Sequence, residues 1–184
     1  MAIALEYEGG LLVRGSTRGD GDTGDDVTSN LKTIHDIPLK LNKPPSGRLE
    51  VRGEIYMTRE GLAKLNRQRE AEEQPLFANP RNAAAGTLKL LDPKEVARRR
   101  LHAWCYYLIT KQPGIKTQVE ALAALERWGF QVNPQHRLCR SLEELFRFYR
   151  QVETVRENLP YNIDGLVVKV NELPAHERLG TTAK

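Results

Sequence analysis

The chain of 184 residues is short of several things, and each shortage excludes a class of protein. It has 2 cysteines, Cys105 and Cys139, single and far apart in sequence. They make no zinc knuckle and indicate no disulfide framework, so the expectation is a cytosolic protein with two thiols. No apolar run approaches the roughly 20 residues that cross a bilayer. The N-terminus lacks both a basic flank and a long apolar stretch, so no targeting segment is read there. There is no internal repeat and no low-complexity linker. The histidines His35, His102, His136 and His176 have no metal-ligand spacing and receive no role. What is present, 40% hydrophobic and 28% charged residues, describes a soluble globular chain with one real core. A net charge of +4 leans only weakly towards an anionic partner.

The stretch "TRGDGDTGDDVTSN", Thr17 to Asn30, contains Gly19-x-Gly21-x-x-Gly24, the spelling of a dinucleotide-binding loop. Electrostatics argues against that assignment. A Rossmann cradle offers backbone N–H groups and a helix N-terminus to a pyrophosphate. Here Asp20, Asp22, Asp25 and Asp26 would occupy the phosphate's place. The preceding strand alternates and breaks at Glu8-Gly9-Gly10, whereas a parallel Rossmann strand is a near-continuous apolar run. An EF-hand fails as well: its sixth position would be Asp25 instead of glycine and its twelfth Leu31 instead of glutamate. A plain Gly/Asp turn leading into a helix with acids in its first turn remains.

Periodicity and punctuation give the organisation. Ile3–Tyr7 and Leu11–Thr17 read as a hairpin, and Asp25–Ile34 as a short helix. Leu49–Met57 is a strand with Leu49, Val51, Gly53, Ile55 and Met57 on one face and Glu50, Arg52, Glu54 and Tyr56 on the other. Thr58 caps a helix running to Glu72, and Asn79–Leu91 is a short alanine-rich helix. Leu101–Thr110 is a strand. Thr117-x-x-Glu120 and Ser141-x-x-Glu144 are capping boxes that open helices ending near Gly129 and Asn158. Ile163–Val170 reads as a strand and Pro174–Leu179 as a last helix. Hairpin strands with helices packed on them predict an α+β fold with antiparallel pairing.

Three stretches carry candidate chemistry. The polar face of Leu49–Met57 is either a salt-bridged solvent face or a cleft wall on which Glu54 accepts a ligand hydroxyl. In "NPRNAAAGTLKLL" the small residues Ala83–Gly86 permit close backbone approach, and Arg81 and Lys89 flank them as phosphate grips or as plain surface cations. In "NIDGLVVKVN" Gly165, Val167 and Lys169 share a face. A lysine on such a face reaches solvent or finds an anion. The run Arg98-Arg99-Arg100 reads as a solvated face.

Taken in order, "TRGDGDTGDDVTSN", "LEVRGEIYM", "ANPRNAAAGTL" and "IDGLVVKVN" resemble the adenylation domain of bacterial NAD-dependent DNA ligase over essentially all 184 residues. The resemblance implies a nucleotidyltransferase fold, antiparallel sheets around a nucleotide cleft. It also implies nick sealing, in which NAD donates AMP to a lysine, then to a 5′-phosphate, which a 3′-hydroxyl finally attacks. By the same resemblance Arg18 and Glu54 contact the nucleotide, Tyr106 stacks on adenine with Val167 on the base's other face, and Lys169 approaches the α-phosphate. Arg81, Lys89 and Arg156 would grip AMP phosphate or the DNA backbone, and Mg²⁺ would assist. The implied partners are nicked duplex DNA and the remaining domains of a parent ligase, in a monomeric, cytoplasmic, bacterial protein without membrane association.

The departures set further expectations. The family's nucleophilic lysine lies in a K-x-D-G motif just upstream of Met1, so the chain reads as a partial adenylation domain, residues 1–184, without that segment and without the domain's C-terminal end. It is therefore expected not to become covalently adenylated and to bind nucleotide only weakly; a non-catalytic nucleic-acid module of the same fold is the competing class. Lys89 stands where arginine is usual, and Asn162 where an acid is common. Arg18, Glu54, Tyr106 and Lys169 are expected to converge on one cleft.

Overall fold

The computed structural model describes residues 1–19, 23–43, 46–110 and 114–180, the side chain of Glu177 excepted. Strands β1 (Ala2–Glu8) and β2 (Leu11–Thr17) form the hairpin expected of the sequence. Gly9 and Gly10 turn it with φ of 56° and 80°, the left-handed pair that a two-residue hairpin turn requires. Strands β3 (Arg48–Tyr56) and β4 (His102–Thr110) complete one sheet in the order β2-β1-β3-β4, antiparallel at each pairing.

One face of this sheet is the core wall. Ile3, Leu5 and Tyr7 of β1, Leu49, Val51 and Ile55 of β3, and Ala103, Cys105 and Leu108 of β4 are all buried on it. Against them pack Leu31 of α1 (Thr28–Leu31), Leu65 of α2 (Arg59–Ala71), Ala83, Ala84 and Leu88 of α3 (Pro80–Leu88) and Val96 of α4 (Pro93–Arg98). Ala121, Ala124, Leu125 and Trp128 of α5 (Gln118–Trp128) close the layer. The α+β expectation is met: a four-stranded antiparallel sheet with helices on its apolar face. The opposite face keeps the polar alternates.

Local signals act as their chemistry predicts. Thr58 accepts from the Gly61 N–H to start α2, and Asn79 accepts from the Asn82 N–H ahead of Pro80. Thr117 and Glu120 form the full reciprocal box of α5, which Gly129 ends in the left-handed conformation at φ 103°. The second box is looser. Ser141 caps α6 (Leu142–Val155), but the Glu144 carboxylate accepts from the Arg140 N–H. A short 3-10 turn, Arg156–Asn158, follows α6, and α7 (Leu173–Leu179) is the last helix.

Three expectations are corrected. The helix expected over 25–34 shrinks to the single turn of α1, because the chain before it is used to close a loop. Thr17 N–H donates to the Asp25 carbonyl at 2.9 Å and Val27 N–H to the Gly15 carbonyl at 2.9 Å, so the segment returns antiparallel along the end of β2. Gly19, at φ 55°, and Gly24 are needed there: an added Cβ would lie 1.6 Å from the Thr23 carbonyl oxygen and 1.9 Å from that of Thr17, respectively. The expectations placed on Asp20, Gly21 and Asp22 lie outside the described residues. Second, the strand expected over 163–170 is irregular chain. Alternation fixes which side chains share a face, but a strand needs a neighbouring edge for its N–H and C=O groups. Among the described residues none lies alongside, and Val167 and Val168 stay 82% and 67% exposed. Third, as a consequence, the described residues hold one sheet where the resemblance implied several.

The register of β3 against β4 contains an irregularity that shapes everything above the polar face. Arg52 lies opposite Tyr107, but the next residue, Gly53, lies opposite Cys105, so Tyr106 is the extra residue of a β-bulge. Gly53 permits this approach. A Cβ there would sit 2.8 Å from the Trp104 carbonyl oxygen and 3.2 Å from Cys105 Sγ. Gly53→Ala is therefore expected to lower stability by about 1–3 kcal/mol through overpacking. Urea unfolding of the variant checks this; an unchanged midpoint would show that the bulge does not depend on the bare backbone.

Candidate functional site

The polar face of the sheet is a floor built by alternation. Ala2 and Ala4 of β1 lie opposite Glu54 and Arg52 of β3, and their small side chains leave the surface beside those two residues low. On β4, Trp104 lies opposite Glu54. The bulge then turns both Tyr106 and Tyr107 onto this face, half-buried, before Leu108 returns to the core.

Chain 159–171 passes over the floor and divides it. At one end Tyr161 packs edge-on against Tyr56 and Trp104, with ring centroids 5.2 and 5.9 Å away, while Tyr56 stacks on Trp104 and on His102. His102 Nδ1 is 2.9 Å from a carboxylate oxygen of Asp36, which also accepts the Ala103 N–H. Arg59 ties this end down: its backbone N–H donates to the Pro160 carbonyl and its Nε to Asn162 Oδ1. At the other end, Gln118 N–H donates to the Asn171 carbonyl and Leu173 N–H to that of Lys116.

Between these anchors Lys169 reaches the floor. Its Nζ lies 4.6 Å from the centroid of the Tyr106 ring and 5.6 Å from that of Tyr107. Cations are held over aromatic faces by the ring quadrupole. The residue as a whole is exposed, but its ammonium end is folded down onto the rings, and this loss of water lowers its pKa below the ordinary lysine value. The Tyr106 phenol is shifted the other way. Burial raises its pKa and the Glu54 carboxylate adds to the rise, while the Arg18 and Arg52 cations oppose it. Glu54 Oε1 also accepts from the amino group of Met1 at 2.5 Å.

Lys169 thus lies over the Tyr106 ring, and the charges of Glu54 and Arg18 act on the Tyr106 phenol. Val167, two residues before Lys169, is open to solvent. The other cations singled out in the sequence sit elsewhere. Arg81, at the start of α3, is 3.9 Å from Asp164, and Lys89, at its end, is 2.8 Å from Asp25 of the glycine loop. Arg156 lines a groove of about 50 Å³ between α6 and residues 163–166, with Asp164 on its rim. Among the described residues no group of three His, Cys, Asp or Glu side chains comes together to hold a metal.

Sequence reasoning placed Arg52 on this face but missed Tyr107 and His176 as parts of the surface. Arg52 places its guanidinium 5.9 Å from the Tyr107 centroid while its Nε donates to Glu50 at 2.7 Å. The His176 ring lies parallel to Tyr107 within 9°. One signal was available: a glycine inside an alternating strand marks a bulge, and a bulge opposite Gly53 puts two successive residues on one face.

The family described as NAD-dependent DNA ligase adenylation domain matches residues 1–184. Over its full length the chain is 49% identical to a DNA ligase of Ligilactobacillus salivarius, 47% to one of Caldicellulosiruptor bescii and 52% to one of Carboxydothermus hydrogenoformans. It spans 27 or 28% of the length of these curated relatives. No helix among the described residues is long and apolar enough to cross a membrane.

The desolvated ammonium of Lys169 gives a pH signature. Its pKa is lowered on folding, so between the folded and unfolded values the unfolded chain holds the extra proton. Stability from this group is reduced while it is charged and recovers as pH rises through its folded pKa. The expected result is a lysine signal titrating below the ordinary value, read by NMR of the ¹³C-methylated chain and assigned with Lys169→Arg. A Lys169 that titrates with the bulk lysines would contradict the contact.

Proposed function

The chain belongs to the NAD-dependent DNA ligase adenylation family, and from that premise we propose that the Tyr106 face binds the adenylate half of NAD within a ligase that seals nicks in duplex DNA. The observation that carries this reading is the Lys169 ammonium 4.6 Å above the Tyr106 ring, whose phenol also feels the charges of Glu54 and Arg18. A nucleotide needs three kinds of partner, and this surface has each. A purine needs a flat apolar face, and a half-buried tyrosine supplies one. A ribose hydroxyl needs an acceptor, which Glu54 provides. A phosphate needs fixed cations: Lys169 lies over the Tyr106 ring, and the charge of Arg18 reaches its phenol. Val167, exposed two residues from Lys169, is free to cover the second face of the base.

The fold is then that of the nucleotidyltransferases, with the polar face of the sheet as one side of the nucleotide cleft. Phosphoryl transfer develops charge on non-bridging oxygens, so preorganised cations lower its barrier. In this role Lys169 and Arg18 orient the α-phosphate and meet that charge. Mg²⁺ would assist by bridging the nucleotide phosphates and keeping several of its waters. Arg81, Lys89 and Arg156 are proposed to exchange their present neighbours for phosphates of the nucleotide or of the DNA backbone. That chemistry belongs in a bacterial cytoplasm, next to the chromosome.

Titration of AMP into the ¹⁵N-labelled chain is expected to shift signals around Tyr106, Glu54 and Lys169. Tyr106→Ala should weaken binding about tenfold or more, since stacking on an aromatic side chain is worth about 1–3 kcal/mol per base. Lys169→Met should weaken AMP and leave adenosine unaffected. Shifts confined to the α6 groove, or an unchanged affinity in Tyr106→Ala, would remove the assignment.

A further inference from the structure

Lys169 stands in a stretch with no strand ladder to hold it, and its neighbours Val167 and Val168 are largely exposed. Downstream, Asn171 docks on the start of α5, which fixes the backbone two residues away but not the lysine side chain. Tyr107 supplies two further restraints. Its ring centroid is 5.6 Å from Lys169 Nζ. The same ring lies parallel to that of His176, centroids 6.5 Å apart, and His176 Nε2 is 2.5 Å from the carbonyl oxygen of Val170. One aromatic ring is thus linked to Lys169 twice, through its ammonium and through the carbonyl of the next residue. From β3 the Arg52 guanidinium approaches this ring too, 5.9 Å from its centroid.

We infer that Tyr107 is a positioning residue, which keeps Lys169 and Arg52 within reach of one phosphate at the Tyr106 ring. The inference rests on the nucleotide site proposed above and adds a division of labour to it: Tyr106 gives its face to the base once the Lys169 ammonium slides off that ring, and Tyr107, which the ammonium also touches, orders the cations. A carboxylate placed between Lys169 and Arg52 would also hold them, but it would neutralise the charge that a phosphate needs. A ring quadrupole attracts both cations and leaves their charge intact. The bulge opposite Gly53 is what allows two consecutive tyrosines to act from one face. Arg52 is also paired with Glu50 through its Nε, so of the two cations it is Lys169 that depends on the rings.

The test uses the 184-residue chain with Tyr107→Phe, Tyr107→Leu and His176→Ala. Two quantities are read: the titration of Lys169 by NMR, and the affinities for AMP and for adenosine. In the Tyr107 variants the other groups at these rings stay in place: Tyr106, with the Glu54 and Arg18 charges that act on it, Arg52 and His176. Tyr107→Phe keeps the ring and should match the parent chain in both readouts. Tyr107→Leu keeps bulk without a π face: Lys169 should titrate closer to an ordinary lysine, AMP affinity should fall about tenfold and adenosine affinity should stay. His176→Ala, which cuts only the second link, should give a smaller loss in the same direction. If Tyr107→Leu leaves the titration and AMP binding unchanged, or weakens AMP and adenosine alike, Tyr107 merely fills space and the inference falls. If the parent chain binds no AMP, the nucleotide site falls, and the hold of Tyr107 on Lys169 stands or falls by the titration alone.

Discussion

The absence of a side chain at position 53 is the constraint on which the polar face depends. With the Trp104 carbonyl oxygen 2.8 Å from where a Cβ would stand, β3 and β4 can close on one another only if one of them is bare at that point. The close approach leaves Tyr106 without an opposite number, and the strand resumes its alternation one residue late. Without the bulge Tyr107 would point into the core and Leu108 out to the solvent. With it, the core keeps Cys105 and Leu108, and the outer face gains a second ring. One glycine therefore connects sequence, register and site.

The two faces of the sheet carry separate duties. The apolar face holds one continuous core from Ile3 to Val132, and none of the residues gathered at Tyr106 belongs to it. Dryness on that side is visible in the chemistry: burial pushes the Cys105 thiol up to about 12, which leaves it an inert packing group instead of a nucleophile. Stability is supplied below the sheet, so the face above can hold an arginine, a glutamate, two tyrosines and a desolvated lysine, a set poorly suited to any core. Lys169 carries the cost of that arrangement in its lowered pKa.

The elements legible in the sequence were those whose signals are local. Gly9-Gly10, Thr58, Asn79, the Thr117–Glu120 box and Gly129 each act on their own neighbours, and each does in the structure what its chemistry predicts. The return of the glycine loop along β2 was not legible, because Thr17 with Asp25 and Gly15 with Val27 pair through backbone groups that leave no mark in the sequence. The failures were non-local. Residues 163–170 alternate like a strand, but pairing depends on what lies beside them, which no period within the segment records. The helix over 25–34 lost its first turn to hydrogen bonds with β2, a competition between partners eight to twelve residues apart. At the site, Glu54 and Lys169 stood out from strand alternation, whereas Arg18 and Tyr106 came from a resemblance. Tyr107 was hidden because strict alternation assigns it to the wrong face.

A surface meant to receive phosphates faces a difficulty while it is empty: like charges repel, and long side chains wander. The structure handles this with weak internal partners. Arg52 leans on Glu50, Lys89 on Asp25 and Arg81 on Asp164, all at exposed positions. Exposed ion pairs of this kind contribute about 0–1 kcal/mol each, enough to orient a side chain and too little to compete with a phosphate's double charge. Lys169 is the exception, since it rests on aromatic rings and forms no ion pair among the described residues. A carboxylate partner would have to be displaced before the lysine could meet a phosphate, whereas a ring face leaves the far side of the ammonium open. The cation nearest the proposed reacting phosphate is thus the one held by a contact that does not neutralise its charge.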